Sequence, residues 1–239
     1  MRVLLTNDDG YDAIGMFTLA KSIRQLGWDA TIVAPKHHMS GASRGRISDI
    51  LLPWQKVESI CGFDTYHVDG TPASCVVFGL TSGLFSDFDL CLSGINAGVN
   101  LGAGLTISGT FGAVLEAASY NVRGIALSRE NDTENILTET WDWLSTQTAT
   151  TKILEFLLKY ENGWRLANVN IPNNVVPQTP LTFTKISAES FFFDQYDVEN
   201  ARIHSGMGFD DKKIVVDDDI YALTQKRTIG ISLLQGQII

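Results

Sequence analysis

The chain has 239 residues, 44% of them hydrophobic, and a chain of this size buries roughly 70 to 75% of its unfolded surface, so it needs neither a disulfide nor a structural metal to fold. Its 18 Lys and Arg against 27 Asp and Glu leave a formal net charge of −9, which excludes a general surface for duplex nucleic acid or anionic membrane, because such surfaces depend on clustered cations. A small anionic ligand would need local help from a cation or from helix N-termini.

No run of about 18 apolar residues occurs, so no transmembrane helix is expected. The three apolar residues before the first acids are too few for a signal-peptide core. Cys61, Cys75 and Cys91 are odd in number and lack Cys-x-x-Cys spacing, which fits reduced thiols in a cytoplasmic protein.

In chain order, Val3 to Leu5 is a short apolar run, followed by Met16, Leu19, Ala20, Ile23 and Leu26 at helical spacing and Gly27 as a stop. Ala30 to Ala34 predicts the next strand, ended by Pro35, and strand, helix, strand predicts parallel neighbours. Tyr66 to Val68 predicts a further strand. Thr71-Pro72 predicts an N-cap with proline in the first helical position, and Val76, Val77 and Leu80 give that helix its apolar face. Asp89 to Leu92 begins another strand, Ser93 to Thr106 is expected as a polar loop, Thr110 to Tyr120 as a buried helix and Gly124 to Leu127 as a strand. This alternation predicts an α/β fold with a Rossmann-like, doubly wound, mostly parallel sheet.

Beyond Ser128, Glu134 to Tyr160 is mostly helical in pattern and Leu166 to Val169 is a strand candidate. From Leu181 onward, Phe191 to Phe193, Lys213 to Val216 and Thr228 to Leu234 are β-type runs that predict an antiparallel extension. Three successive phenylalanines cannot alternate between core and water; burial against another subunit and coverage on both faces within one chain are equally open. The division expected is a catalytic domain over 1–180 and a β-rich extension and oligomerisation arm over 181–239.

Three polar segments carry candidate chemistry. Asn7-Asp8-Asp9-Gly10 follows the first strand, and ligands of doubly wound sheets bind outside the carboxyl ends of strands. Two adjacent carboxylates repel, and a divalent cation removes that penalty; the competing use is a helix cap followed by a glycine turn. His37-His38-Met39-Ser40-Gly41-Ala42-Ser43 opens beside it, with hydroxyls suited to a hard cation or a phosphate. The His pair lacks metal-ligand spacing and is not assigned a metal. In Ser93-Gly94-Ile95-Asn96-Ala97-Gly98-Val99-Asn100-Leu101-Gly102, Asn96 can offer an amide oxygen. Ser108-Gly109-Thr110 places hydroxyls and free N–H groups at a helix start, which suits phosphate unless they serve as a turn and cap alone. Neither a dinucleotide fingerprint nor a Gly-Lys-Ser/Thr phosphate loop is present.

Together Leu4-Leu5-Thr6-Asn7-Asp8-Asp9-Gly10, Ser40-Gly41-Ala42-Ser43, Gly70-Thr71-Pro72-Ala73, the Ser93 to Gly102 block and Ser108-Gly109-Thr110 resemble the SurE family of survival-protein nucleotidases. The resemblance implies one divalent cation per subunit, magnesium or manganese, held by Asp8, Asp9, the Ser40 hydroxyl and the Asn96 amide. It implies hydrolysis of nucleoside 5′- and 3′-monophosphates, with polyphosphate as a further substrate, Asp8 and Asp9 being catalytic and the attacking group being water or one of the two acids. Asn7, Gly41, Ser108, Gly109 and Thr110 are the expected phosphate and substrate contacts. A homodimer or homotetramer with exchanged C-terminal arms is implied as well. Ser74 stands where the family usually has Asp, Lys226-Arg227-Thr228-Ile229-Gly230-Ile231-Ser232 alters the family's late block, and Ala103-Gly104 occupies a place often acidic. Two other functions fit these residues: a phosphoryl-binding regulatory protein without turnover, and a Rossmann-type transferase, since fold does not fix function.

Overall fold

The first strand, β1 (Arg2–Thr6), is apolar on both sides because both its faces are covered, as parallel sheets require. It pairs in parallel with β2 (Asp29–Pro35) on one side and β5 (Leu90–Ala97) on the other. The computed structural model describes residues 1–46, 51–131, 141–160, 162–190, 192–207 and 215–235, with side chains of 192–194 and 203–207 left aside. The remaining elements in chain order are α1 (Ile14–Gln25), β3 (Trp54–Ile60), β4 (Phe63–Val68), α2 (Pro72–Thr81), a 3-10 turn (Ala103–Ile107), α3 (Gly109–Ser119), β6 (Arg123–Arg129) and α4 (Trp143–Lys159). They are followed by β7 (Leu166–Ile171), β8 (Leu181–Thr184), β9 (Phe192–Asp197), β10 (Arg202–Met207), α5 (Asp219–Thr224) and β11 (Ile229–Leu234).

Among the described residues a nine-stranded sheet has the order β3-β4-β2-β1-β5-β6-β7-β11-β8. The run β4-β2-β1-β5-β6-β7 is parallel throughout, while β3 and β11 run antiparallel to β4 and β7. The chain therefore builds outward from β1 through β2 and β4, then returns to place β5 on the other side of β1. That reversal opens a crevice between the carboxyl ends of β1 and β5, the usual ligand position in such sheets.

Helices cover both faces. Met16, Leu19 and Ile23 of α1 and Ile153, Leu154 and Leu157 of α4 pack with Leu5, Leu92 and Ile125 on one side. Cys75 and Val76 of α2 and Val114 and Ala117 of α3 meet Leu4, Cys91 and Ala126 on the other. Thr71 caps α2 by accepting from the Ser74 N–H, with Pro72 in the first turn, and Ser108 caps α3 by accepting from the Phe111 N–H. Burial pushes the Cys91 thiol up to about 12 and raises that of Cys75, and all three cysteines are unpaired. Among the described residues no helix is long and apolar enough to cross a membrane.

Three expectations are revised. β5 runs through Ala97, so the first part of the polar loop is strand, with a register shift against β6 between Ser93 and Asn96. β3 goes unforeseen because its residues are mostly exposed and polar, as suits a sheet edge. The stretch 181–239 divides: β11 joins the main sheet antiparallel to β7 and takes β8 beside it in parallel, β9 and β10 form a separate antiparallel pair, and Asp219–Thr224 is helical. Of the expected run Lys213 to Val216, residues 213–214 lie outside the described residues, and Val215 and Val216 lead into a turn. Burial of Phe191 to Phe193 likewise lies outside the described side chains.

Leu92 is fully buried at the middle of the sheet. Leu92→Ala is expected to cost about 3 kcal/mol, read as a lower denaturant midpoint at unchanged slope; a cost under about 1 kcal/mol would place this strand outside the core.

Candidate active site

β1 ends in a turn closed by Asn7, whose Nδ2 donates to the Gly10 carbonyl at 2.7 Å while Oδ1 accepts from the Gly10 N–H at 3.2 Å. The turn directs the two following acids to different neighbours. Asp8 accepts from the Thr110 hydroxyl at 2.6 Å and from the Thr110 N–H at 3.1 Å. The first residue of α3 must be small for this contact: a Cβ on Gly109 would sit 2.9 Å from the Asp8 Cβ and Oδ2. Asp9 accepts from the Ala97 N–H at 3.1 Å and faces His38 Nδ1 at 3.4 Å. The N-cap of α1 is Ala13, with no side-chain cap, so neither acid is spent on helix capping.

Burial pushes the Asp8 carboxyl up to about 6, against the hydrogen bonds from Thr110, and the neighbouring Asp9 adds to the rise. Burial raises Asp9 too, opposed by the Ala97 N–H and by His38. Among the described residues the basic side chain at ion-pair distance from these acids is that of His38, which is 63% exposed, so what compensation it gives them is weak.

The acids open into a cavity of about 410 Å³ shared with His38, Ser40, Gly41, Asn96 and Ser108. Asn96 donates its Nδ2 to the Gly98 carbonyl at 2.7 Å, which commits the nitrogen and leaves the amide oxygen for a ligand. Met39 donates its N–H to the Asp8 carbonyl at 2.7 Å, so the loop bearing Ser40 starts from the acid's own backbone. The structure thus brings Asp8, Asp9, Ser40, Gly41, Asn96 and Ser108 together. Gly109 and Thr110 stand behind Asp8, and Asn7 shapes the turn. Of the two histidines set aside on spacing, His38 lines the cavity and His37 does not.

Several supporting residues were not legible in the sequence. Asn100 donates its N–H to Asn170 Oδ1 and its Nδ2 to Ser128 Oγ, both at 2.8 Å. Its carbonyl accepts from Asn168 Nδ2 and Asn170 Nδ2, both at 2.9 Å. Asp219, also buried, accepts from the Gly102 and Ser187 N–H groups at 2.9 Å each. These bonds fix the loop after Asn96 to β6, β7 and α5. The available signal was polar residues in an otherwise apolar strand, Leu166-Ala167-Asn168-Val169-Asn170-Ile171, since buried amides need partners.

Among the described residues no group of three or more His, Cys, Asp and Glu side chains converges as a metal site. The set at the crevice is two carboxylates with neutral oxygens from Ser40 and Asn96, a composition suited to a hard, oxygen-preferring cation. Two under-compensated, partly desolvated acids beside those oxygens fit such an ion.

A family model for survival protein SurE matches residues 3–192. The chain belongs to the SurE family. It is 32% identical to a protein of Methanocaldococcus jannaschii named 5′-nucleotidase SurE, over 98% of this chain and 91% of the relative. A Thermococcus kodakarensis protein of the same name is 30% identical, over 97% and 91%. The crystal structure of a SurE protein from Aquifex aeolicus superposes with a TM-score of 0.80 at 25% identity, covering 100% of this chain and 95% of that one. The doubly wound sheet is thus the SurE family's fold.

The folded, metal-free chain holds the Asp8 proton more tightly than an unfolded chain with the ordinary value of 3.8. Stability is therefore lost as pH rises from about 4 through about 6, and the full cost, on the order of 2 to 3 kcal/mol, applies above that window. In chelator, Asp8→Asn should melt several degrees above the parent chain at pH 8, with the gap closing towards pH 4. A gap that is equal at both pH values would contradict this assignment.

Proposed function

We propose that this chain is a divalent-metal-dependent nucleotidase that hydrolyses nucleoside 5′-monophosphates, with 3′-monophosphates and polyphosphate as further substrates. The observation that carries the reading is the pair of partly desolvated, under-compensated carboxylates at the β1–β5 crevice, in a cavity lined also by Ser40 and Asn96. The names of the relatives supply the substrate class. Asp8, Asp9, Ser40 and Asn96 would hold one magnesium or manganese ion per subunit. When bound, such an ion supplies Lewis acidity toward a phosphoryl oxygen and neutralises charge that develops in the transition state.

The chain's own residues do the positioning. Thr110 locks the Asp8 carboxylate in one orientation through two donors, and the Ala97 N–H does the same for one oxygen of Asp9. Ser108 accepts the Phe111 N–H at 3.1 Å, which leaves its hydroxyl proton for a phosphoryl oxygen. Gly41, at the cavity wall, lets backbone approach the same anion. The Thr110 and Phe111 N–H groups of α3 are committed to Asp8 and Ser108, so the Ser108 hydroxyl, the Gly109 N–H and the loop amides, with the cation, hold the phosphate. At about 410 Å³ the cavity lies within the range that encloses ligands of mononucleotide size.

The same reading includes a cytoplasmic protein, supported by three unpaired thiols. It also includes a homodimer or homotetramer exchanging C-terminal arms. The β9–β10 pair supports that assembly, with Tyr196 59% and Val198 81% exposed on and beside it.

Phosphate monoesters are among the slowest esters to hydrolyse unaided, so the ion's removal should nearly abolish turnover. In a phosphate-release screen across nucleoside monophosphates, magnesium or manganese should restore activity lost in chelator. Asp9→Asn should lower turnover at least ~100-fold with the far-ultraviolet spectrum unchanged. Undiminished release in chelator, or by Asp9→Asn, overturns the proposal.

A further inference from the structure

Glu116 is fully buried in α3, among residues that are otherwise small or apolar. A lone buried carboxylate is costly unless paired, and its partners come from one place. Arg44 Nε donates to Glu116 Oε2 at 2.8 Å and Arg46 Nη1 to Oε1 at 3.2 Å. Arg44 Nη2 also donates to Ser119 Oγ at 2.9 Å, whose own hydroxyl donates to the Glu116 carbonyl at 2.6 Å. Both arginines lie just beyond Ser40-Gly41-Ala42-Ser43, and neither lines the cavity that holds Asp8 and Asp9. Guanidinium groups beside an anion-binding loop would ordinarily be assigned to the substrate phosphate; here they are turned onto the helix beneath.

The loop is seated on α3 at a second point. A Cβ on Gly112 would come within 2.1 Å of the Ser43 carbonyl oxygen, so glycine permits the close approach there. Ser43 also donates its N–H to Ile107 at 3.0 Å and its hydroxyl to Thr106 at 2.8 Å, and Thr71 donates to the Gly45 carbonyl at 2.6 Å. Thr110 and Glu116 are six residues apart on the same helix, a rise of about 9 Å. The first turn of α3 thus grips Asp8, and the second and third turns grip the loop that carries Ser40.

We propose that Glu116 is a positioning residue which, through Arg44 and Arg46, sets Ser40 in register with Asp8 and Asp9. The inference rests on the metal-site reading above. Partners behind the ligands of metal sites are worth roughly 10- to 100-fold in affinity, and their effect is transmitted through the ligand they orient.

The test is a manganese titration by calorimetry of chelator-treated protein, comparing the parent chain with Glu116→Gln, Ser40→Ala and the double variant. Glu116→Gln should weaken binding about tenfold. The double variant should bind about as weakly as Ser40→Ala alone, because both changes remove the same contact. Amide exchange at Ser43 and Gly45 in the metal-free protein should accelerate in Glu116→Gln while the amides of α3 stay protected. Arg44→Gln with Arg46→Gln removes the clamp from its exposed side, should reproduce the loss, and decides the matter if Glu116→Gln does not fold. Multiplicative losses in the double variant, or unchanged affinity and exchange in both clamp variants, overturn the proposal while leaving the metal site standing. A parent chain that takes up no manganese removes the metal site itself, and this inference with it.

Discussion

Two adjacent carboxylates held partly out of water at the end of a β-strand set the terms for everything around them. Like charges about 4 Å apart repel by about 4 kcal/mol at an effective dielectric of 20, and burial adds a desolvation cost on each. The protein meets this with hydrogen bonds from Thr110 and Ala97 and with an exposed histidine, and both carboxyls still stay above their ordinary range. A site left in that condition is unfavourable for folding and favourable for a cation. Such strain in electrostatics, concentrated in a crevice, is a mark of a functional centre.

The surrounding structure keeps those charges in place. The topology puts β1 and β5 side by side at the point where strand order reverses, so Asp8, Asp9 and Asn96 emerge at one crevice from strands fixed by the core. Second-layer contacts then remove the freedom left in the loops. The buried amides of Asn168 and Asn170 hold Asn100, Asp219 holds Gly102, and α3 holds both Asp8 and the Ser40 loop. Each contact uses a buried polar group whose partner is a loop backbone or a loop side chain. Deleting one would leave an unsatisfied group as well as a looser site.

The sheet's centre and the paired acids of the crevice were legible from sequence because the physics that forms them is local. Val3 to Leu5 is an apolar run of strand length, and Asp8-Asp9 follows it at once. Thr71-Pro72 and Ser108 announce helix starts by their own capping chemistry. β3 was not legible, since an edge strand exposed on most of its residues shows neither a buried run nor clean alternation. The role of Thr110 was read only in part: its donors at the helix start were visible, but that they turn to Asp8, 102 residues away, depends on tertiary placement. Glu116 showed one local oddity, an acid in an apolar helix. Its arginine partners lie more than 60 residues earlier in the chain, and no periodicity links them. The C-terminal stretch misled because β-type residues do not say which sheet they join; β11 entered the main sheet beside β7.

The central claim is that Asp8 and Asp9 share one cation with oxygens supplied by Ser40 and Asn96. Anomalous diffraction from a crystal of this protein soaked in manganese tests it most directly. The account predicts one strong anomalous peak at the β1–β5 crevice, within coordinating distance of both carboxylates, the Ser40 hydroxyl and the Asn96 amide oxygen. A crevice without a peak, or an ion bound elsewhere with Ser40 and Asn96 turned away from the acids, would contradict it.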